Sequence, residues 1–376
     1  VLANGAVLFS NGYLKLVKEN ELLATDRVVV AHVSLNSPKY SEDAPRVRFW
    51  YELVGRVQAL PGVTNAAITS KLPLEGGSNT NALVNDETYD PTKERMQVER
   101  SSVTEDYFAT MGIRLLQGRT LRSEDRTGDI RGVVVNEACV KRAWPNKNPI
   151  GEIMRANQPE KPWYIVRVVG VVENVKQWGA DAPIQPEMYT APEGHWGRGV
   201  YLVLRTPLPL AQLAPLLRRE LAAIDGELAL KDVRTMRQVV STSTQSQRAL
   251  AGLVNFFMAV ALGLVAVGLY GTLSYHVQQR TREIGVRVAI GALKGDIVRL
   301  VFAQGSRWVG IGLALGFAGS IALSFALKSI VYGMTGLTAP PLVLATVAVG
   351  FAAMVACWLP ARRAAAVDPL VALRSD

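Results

Sequence analysis

The sequence predicts a protein of two parts: an α+β domain, mixed α/β in its element order and built of two lobes, followed by an all-α membrane domain of three transmembrane helices. The distribution of charge is the first reason. The first 248 residues contain 31 Lys and Arg and 28 Asp and Glu, whereas the last 128 contain 10 and 4. The second reason is that three long uncharged runs occupy most of that last part. Together they indicate a water-exposed domain followed by a membrane region.

Strand and helix patterns alternate within residues 15–245, the range predicted for the water-exposed domain. Strands are predicted where β-branched residues cluster, at residues 27–35, 63–69, 132–136 and 164–172. Helices are predicted where apolar residues recur at helical spacing, at residues 45–60 and 210–224. The turn-rich segments 74–90 and 180–199 are predicted to be loops.

Three uncharged runs, residues 249–275, 308–327 and 340–360, are predicted to be transmembrane helices. A hydrocarbon core of about 30 Å needs about 20 helical residues, and each run provides that length. Residues 1–14 are also apolar and uncharged but are too short to span a bilayer. We interpret them as the remnant of an upstream transmembrane helix, with the end of a cleaved precursor segment as the alternative.

Basic residues between the runs predict the orientation, because Lys and Arg are enriched in cytoplasmic loops. Residues 276–307 contain six Lys and Arg, whereas the loop after the second run contains only Lys328. The segment 276–307 is therefore predicted to be a cytoplasmic loop and residues 361–376 a cytoplasmic tail. Three crossings then make the large domain an α+β extracytoplasmic domain. The net charge of +9 follows from this distribution and does not indicate nucleic-acid binding.

The predicted cytoplasmic loop is patterned rather than a plain connector. Residues 280–302 read RTREIGVRVAIGALKGDIVRLVF, in which apolar and charged residues are interspersed as in a short amphipathic helix. Gly291 or Gly295 is expected to end that helix, and Asp296 to cap the next one. Two interpretations remain open: a lipid-facing linker with basic anchors, or a docking element for a cytoplasmic protein.

The loop resembles that of MacB/FtsX-type permeases, in which "REIG-x-R-x-A-x-GA" precedes the helix of the next span. The terminal PARRAAAVDPLVALRSD resembles the end of the same family, and SSVTEDYFATMGIRLLQGR and VVVNEACVKRAWPNKNPIGE resemble its periplasmic core domain. The chain is similar in particular to one half of the long duplicated permeases that lack their own ATPase. The resemblance implies an ATPase-coupling role for the matching residues Arg282, Glu283, Ile284, Gly285, Arg287, Ala289 and Gly291.

The resemblance also implies a function and partners. It implies a permease subunit of an ABC-type export or mechanotransmission complex in the bacterial cytoplasmic (inner) membrane. The implied partners are a cytoplasmic ABC ATPase subunit, a second permease subunit or half, membrane lipid, and a periplasmic adaptor or outer-membrane channel. The alternative is a membrane-anchored regulator that activates a cell-envelope enzyme through its outer domain.

Small residues recur every four positions in the second run, at Gly312, Gly316 and Ser320. Such spacing lets helix backbones approach closely, so we interpret these residues as a helix-packing face, within the subunit or across a dimer. The three runs contain no Asp, Glu, Lys or Arg. Ionisable groups within the membrane mark most proton and ion pathways, so an ion-coupled carrier is disfavoured.

The sequence contains no motif for catalysis or for cofactor or metal binding. It has no P-loop, no HExxH and no nucleophile elbow, so no enzyme activity is expected, and ATP hydrolysis is expected on a partner. Cys139 and Cys357 are interpreted as apolar filler. The adjacent Glu105 and Asp106 are interpreted as the start of a helix capped by Thr104 rather than as an acid/base pair.

Overall fold

The computed structural model describes residues 2–20, 23, 25–77, 79–84, 96–157, 164–192, 199–280 and 293–327, with single residues between 283 and 290 and between 343 and 358. The chain divides into two units. The outer unit is Leu16–Gln245, and the helical unit combines Val1–Lys15 with Ser246–Asp376.

The described strands all lie in the outer unit. They are β1 Val28–Ser34, β2 Asn65–Thr69, β3 Asn79–Val84, β4 Met96–Ser102, β5 Leu115–Gly118, β6 Ile130–Asn136, β7 Ile153–Asn157, β8 Tyr164–Val172, β9 Glu187–Thr190, β10 Gly199–Arg205 and β11 Leu230–Thr235. The described helices are α1 Leu2–Glu19, α2 Asp43–Gln58, α3 Tyr107–Met111, α4 Glu137–Ala143, α5 Leu210–Ile224, α6 Met236–Ser243, α7 Gln245–Gln279 and α8 Lys294–Leu327.

The first lobe is an antiparallel sheet of order β11-β1-β10-β2 with α2 and α5 on one face. Alternate residues of a strand point to opposite faces. Val29 and Val33 of β1 therefore pack with Trp50 of α2, whereas Val28 and Val30 face a second core. Both faces of this sheet are buried.

The second lobe is a sheet of order β5-β8-β6-β9-β4-β3-β7 that closes on itself, because β7 pairs with both β3 and β8. Two of its pairings, β6 with β8 and β4 with β9, are parallel. Its interior is filled by Val133, Val168, Met154 and Met188, and Trp144 after α4 packs with them.

The two lobes share a core. Phe108 of α3 and Tyr189 of β9 contact each other edge to face, with ring centroids 5.0 Å apart, and pack with Val203 of the first sheet. Because this core joins the free face of the first sheet to the outside of the second, the lobes form one packed domain.

The helical unit is dominated by α7, whose 35 residues span about 52 Å at 1.5 Å per residue. Among the described residues, α7 is the helix long and apolar enough to cross a bilayer, and α8 contains a shorter apolar stretch, Ser306–Ala322. The Asn255 side-chain amide donates to Ser10 Oγ at 3.1 Å, so α1 contacts α7. A mixed α/β domain followed by one such helix confirms part of the predicted fold class, and the count of three spans stays a prediction.

Most of the predicted elements of the outer domain are confirmed. The strand Tyr164–Val172 and the helix Leu210–Ile224 have the predicted bounds. The two predicted loops were wrong in part, since segment 74–90 contains β3 and segment 180–199 contains β9. The Thr104 cap was also wrong: the Thr104 hydroxyl accepts a hydrogen bond from the Ile68 backbone at 2.9 Å, tying α3 to β2.

Candidate functional site

An exposed apolar stripe precedes α8 on the predicted cytoplasmic side. Val286, Ile290 and Leu293 are 42%, 82% and 74% exposed. The Ile290 backbone N–H donates to the Val286 carbonyl at 3.0 Å, which is a helical hydrogen bond. Residues four positions apart in a helix lie on one face, so Val286 and Ile290 share a face, and Leu293 lies directly before α8. We call these three exposed residues the apolar stripe. Large apolar side chains grouped on an exposed face are typical of an interaction surface.

Charged residues fix the helix beside the stripe. Glu283 and Arg287 form an ion pair one turn apart, with 2.7 Å between Oε1 and the guanidinium. The Asp296 carboxylate accepts from the Leu293 backbone N–H at 3.2 Å. Asp296 therefore supports the start of α8 from within its first turn, rather than from the residue before the helix as predicted. Gly295 lies inside α8 and does not end the preceding helix.

The structure places two of the seven predicted coupling residues, Glu283 and Arg287, and they form the ion pair just described. The other five lie outside the described residues: Arg282, Ile284, Gly285, Ala289 and Gly291. Their coupling role remains a prediction that rests on the resemblance.

The predicted packing residues of α8 differ in their surroundings. Gly312 is exposed, Gly316 is half-buried, and Ser320 is buried, with its hydroxyl donating to the Gly316 carbonyl at 2.7 Å. A methyl group at either glycine would meet no described atom within 4 Å, whereas one at Gly350 would lie 3.2 Å from Leu313. Among the described residues, Gly350 therefore lies close to the Leu313 side chain, and the Gly312, Gly316 and Ser320 face remains a prediction.

The outer domain buries a carboxylate between its lobes. Glu187 of β9 accepts hydrogen bonds from Ser101 at 2.6 Å, Tyr189 at 2.8 Å and Gln177 at 2.9 Å. Burial raises the pKa of Glu187, and the ammonium of Lys71 at 3.8 Å together with these hydrogen bonds opposes that rise. A carboxylate with this many donors is satisfied in place, which makes it a structural tie between strands.

A second buried carboxylate, Glu99 of β4, extends the network to the surface. Lys71, which follows β2 of the first lobe, lies 2.7 Å from Glu99 Oε2, and the Trp178 indole N–H donates to Glu99 Oε1 at 2.6 Å. The Lys71 ion pair therefore links the first lobe to the second. A small cavity opens beside Glu99 and Trp178.

A wider cleft of about 860 Å³ lies between α2 and the second lobe. Tyr51 lines it, with the guanidinium of Arg126 4.8 Å from the ring centroid and Glu105 3.3 Å from the hydroxyl. Burial and the Glu105 carboxylate raise the pKa of Tyr51 to about 12. The phenol therefore stays neutral at physiological pH and bridges the two lobes.

Sequence reasoning missed Lys71, Glu99 and Glu187. The sequence offered little signal for them, because Glu187 lies in a segment predicted to be a loop and Glu99 lies outside every predicted strand. Cys139 is buried as expected of filler, and burial raises its thiol pKa to about 12, which keeps it unreactive. The described residues hold no cluster of His, Cys, Asp and Glu that could bind a metal ion.

Comparison with known proteins matches both parts of the chain to known families. A family model for the MacB-like periplasmic core domain matches residues 5–245, and one for the FtsX-like permease C-terminal matches residues 255–369. The macrolide export ATP-binding/permease proteins MacB of Escherichia coli K12 and of Shigella flexneri are each 27% identical over 288 residues. Each match covers 73% of this chain but only 43% of the relative.

Two solved structures are also similar. The periplasmic region of MacB from Actinobacillus actinomycetemcomitans is 15% identical, with coverage of 61% of this chain and 97% of that one and a TM-score of 0.39. The extracellular domain of the noncanonic ABC-type transporter YknZ from Gram-positive bacteria is 14% identical, with coverage of 54% and 100% and a TM-score of 0.36.

A mixed α/β outer domain that is followed by apolar helices and matched to both family models defines a membrane permease. The chain belongs to the MacB-like, FtsX-like family of ABC transporter permeases. Members of this family are transport components of the inner membrane that carry a periplasmic domain.

Proposed function

We propose that the chain is the permease subunit of an ABC-type export or mechanotransmission complex, coupling ATP hydrolysis in the cytoplasm to movement of its outer domain. In this proposal the ATPase docks on the apolar stripe and the coupling loop. A second permease copy or half completes the membrane assembly, and a periplasmic adaptor or outer-membrane channel receives the outward motion.

The observation that carries the proposal is the apolar stripe at the start of an unbroken helix. Leu293 immediately precedes α8, which runs 34 residues, about 51 Å, and includes the apolar stretch Ser306–Ala322. A partner that docks at Leu293 therefore acts directly on the first turn of α8, and a continuous hydrogen-bonded helix transmits that displacement along its length. A loop with only polar side chains at these positions would give the ATPase no apolar surface to bind.

The construction of the outer domain supports the same proposal. The core around Phe108 and Tyr189 and the ion pair of Lys71 with Glu99 tie the lobes together. A domain tied in this way responds to force as one body. α7 begins at Gln245, where the outer unit ends, and continues unbroken to Gln279.

The cargo is proposed to be handled outside the membrane. The predicted spans contain no charged residue, so they offer no ionisable path for a polar substrate. The curated relatives are macrolide exporters by name, and an apolar small molecule suits the same mechanism here. The membrane-anchored regulator remains the alternative, which the family match does not favour.

The docking role is tested by placing a charge on the stripe. Val286→Asp and Ile290→Asp, each in the full chain in lipid nanodiscs, are expected to weaken ATPase binding about 30-fold, as loss of an apolar anchor does at protein interfaces. Binding is measured by fluorescence titration of the labelled ATPase.

The matched control is Ile153→Asp, because Ile153 is also an exposed isoleucine, at 42%, but lies in the outer domain. Its affinity for the ATPase is expected to be unchanged. If the stripe variants bind as tightly as this control, the stripe is a membrane-surface anchor and the docking proposal fails.

A further inference from the structure

A small cavity of about 260 Å³ lies on the outer domain and shares no lining residue with the cleft at Tyr51. It opens between the β3–β4 surface and the segment that precedes β9. Its lining consists of one carboxylate, one indole, three primary amides and a proline: Glu99, Trp178, Asn79, Gln97, Gln185 and Pro183.

The lining groups are chemically unusual for a surface depression. Trp178 is 51% exposed, so a large apolar ring borders the cavity where a ligand can reach it. Each of the three amides offers two N–H donors and a carbonyl acceptor. An apolar ring beside several groups that both donate and accept suits a ligand with an apolar face and a rim of hydroxyl groups.

The electrostatics of the cavity favour a neutral ligand. The Lys71 ammonium, 2.7 Å from Glu99 Oε2, offsets the Glu99 charge, and the Trp178 N–H occupies the other oxygen. Both oxygens of the carboxylate that lines the cavity therefore already accept from a donor, which weakens its attraction for a cation. An anion is disfavoured because Glu99 and Glu187 are both buried nearby.

The cavity is held in shape by a second layer of contacts. A methyl group added at Gly77 would lie 2.1 Å from Glu99 Oε2 and 2.6 Å from the Trp178 indole nitrogen. Only glycine lets the backbone approach this closely. The indole is thus fixed by Glu99 at 2.6 Å and bordered by the backbone of Gly77, which lowers the entropy cost of binding.

We propose that this cavity, bordered by Trp178, Glu99 and the amides of Asn79, Gln97 and Gln185, is a binding site for one neutral sugar ring of a glycan. The ring stacks its apolar C–H face on the indole, and its hydroxyl or acetamido groups hydrogen-bond to the amides and to Glu99. The volume accommodates a single pyranose, so a longer glycan extends into solvent. The site is independent of the coupling proposal, since it uses no residue of the cytoplasmic side.

The experiment is saturation-transfer NMR of the full chain in lipid nanodiscs, which avoids detergents with sugar headgroups. The probes are methyl glucoside, N-acetylglucosamine and, as a cation, tetramethylammonium. At least one sugar is expected to bind with a roughly millimolar dissociation constant, as its few non-hydrogen atoms allow, and tetramethylammonium is expected not to bind.

Three variants locate the site. Trp178→Ala is expected to weaken sugar binding by about 10-fold or more, as loss of a stacking aromatic ring does. Gly77→Ala changes no lining side chain but displaces Glu99 and Trp178, and is expected to weaken binding similarly. Gln97→Ala is expected to weaken it about 3- to 10-fold, as loss of a hydrogen bond does.

The matched control is Ile184→Ala, because Ile184 is exposed and lies between Pro183 and Gln185 but does not line the cavity. Sugar binding is expected to be unchanged in this variant. The proposal is overturned if neither sugar binds, if tetramethylammonium binds more tightly than both, or if Gln97→Ala binds as the control does. Gln97 is exposed, so this last test holds even if Trp178→Ala fails to fold.

Discussion

The outer unit and α7 place the same kinds of side chain in opposite positions. In the outer unit, Trp50 and Phe108 are 0% and 2% exposed, whereas in α7 Phe256 and Leu264 are 63% and 70% exposed. The outer unit also buries charge, in the paired Lys71, Glu99 and Glu187, while the run 249–275 within α7 has no charge to bury. The difference follows from the surroundings of each part. Water drives apolar side chains into the interior of the outer unit, whereas lipid is itself apolar and allows them to stay on the helix surface.

The largest expected effect comes from truncating a buried aromatic ring of the outer domain. Phe108→Ala removes a ring shared by both lobes, so it is expected to lower the free energy of unfolding by about 3–5 kcal/mol. Phe256→Ala removes an exposed ring of α7 and is expected to change it by less than about 1 kcal/mol. Both are measured by urea unfolding in nanodiscs. Equal losses would show that Phe256 is packed against protein rather than lipid.

The next effect tests whether the outer unit tolerates buried charge only in pairs. Lys71→Met leaves Glu99 and Glu187 without their cation and is expected to cost about 3 kcal/mol. Lys147→Met breaks an exposed pair with Glu152, 2.8 Å apart, and is expected to cost less than about 1 kcal/mol. Adding Glu99→Gln to Lys71→Met is expected to recover part of the loss. If Lys71→Met and Lys147→Met lower the free energy of unfolding by the same amount, the ion pair of Lys71 does not hold the two lobes together.

A charge introduced into α7 tests whether this helix lies in lipid. Leu264→Arg is expected to disfavour membrane insertion by about 2.5 kcal/mol, because a charge at the bilayer centre is costly. Ile130→Arg, at an exposed site of the outer domain (39%), is expected to have no effect. The fraction of protein that resists alkaline extraction from membranes measures both. Normal retention of the Leu264 variant would contradict a span at this position.

The smallest effect is a pH dependence in the outer domain. Burial acts to raise the pKa of Asp125, but the hydrogen bonds from Arg119, at 2.6 and 2.8 Å, and from the Arg122 backbone outweigh it and lower that pKa. A lowered folded-state pKa means that the stabilisation is present above the unfolded pKa of about 3.9 and is lost as pH falls through the folded value.

Asp125→Asn is therefore expected to lower the melting temperature slightly at pH 7, and its effect is expected to shrink as the pH falls through the folded-state pKa and the wild-type carboxyl becomes protonated. Thermal unfolding across this pH range is the measurement. Asp26→Asn, which removes an exposed ion pair with Arg237, is the control and is expected to leave the curve nearly unchanged. A constant difference between Asp125→Asn and wild type at all pH values would rule out this titration.

Local patterns predicted many elements of the outer domain. The run Tyr164–Val172 is Val-rich, and Leu210–Ile224 repeats its apolar residues at helical spacing, so both were predicted with the correct bounds. β3 and β9 were missed because their segments are rich in turn residues. β9 is a strand only because β4 and β6 lie on either side of it and supply its hydrogen bonds.

The coupling loop and the buried polar network also differ in how far the sequence predicted them. The coupling loop was predicted because its motif is contiguous in sequence, and the structure adds the exposure of Val286, Ile290 and Leu293. The polar network was not predicted, because Lys71, Glu99 and Glu187 are far apart in the chain. Strand pairing brings them together, and no spacing rule in the sequence reports such a pairing.

The sequence by itself determined where charge is excluded, and hence which part faces water and which part is apolar enough for lipid. It determined this because the transfer free energy of a side chain depends on its chemistry and not on its neighbours. The tertiary structure alone decided that β7 closes the second sheet and that two buried glutamates share Lys71. These depend on contacts between distant residues, whose free energy exists only once the chain has folded around them.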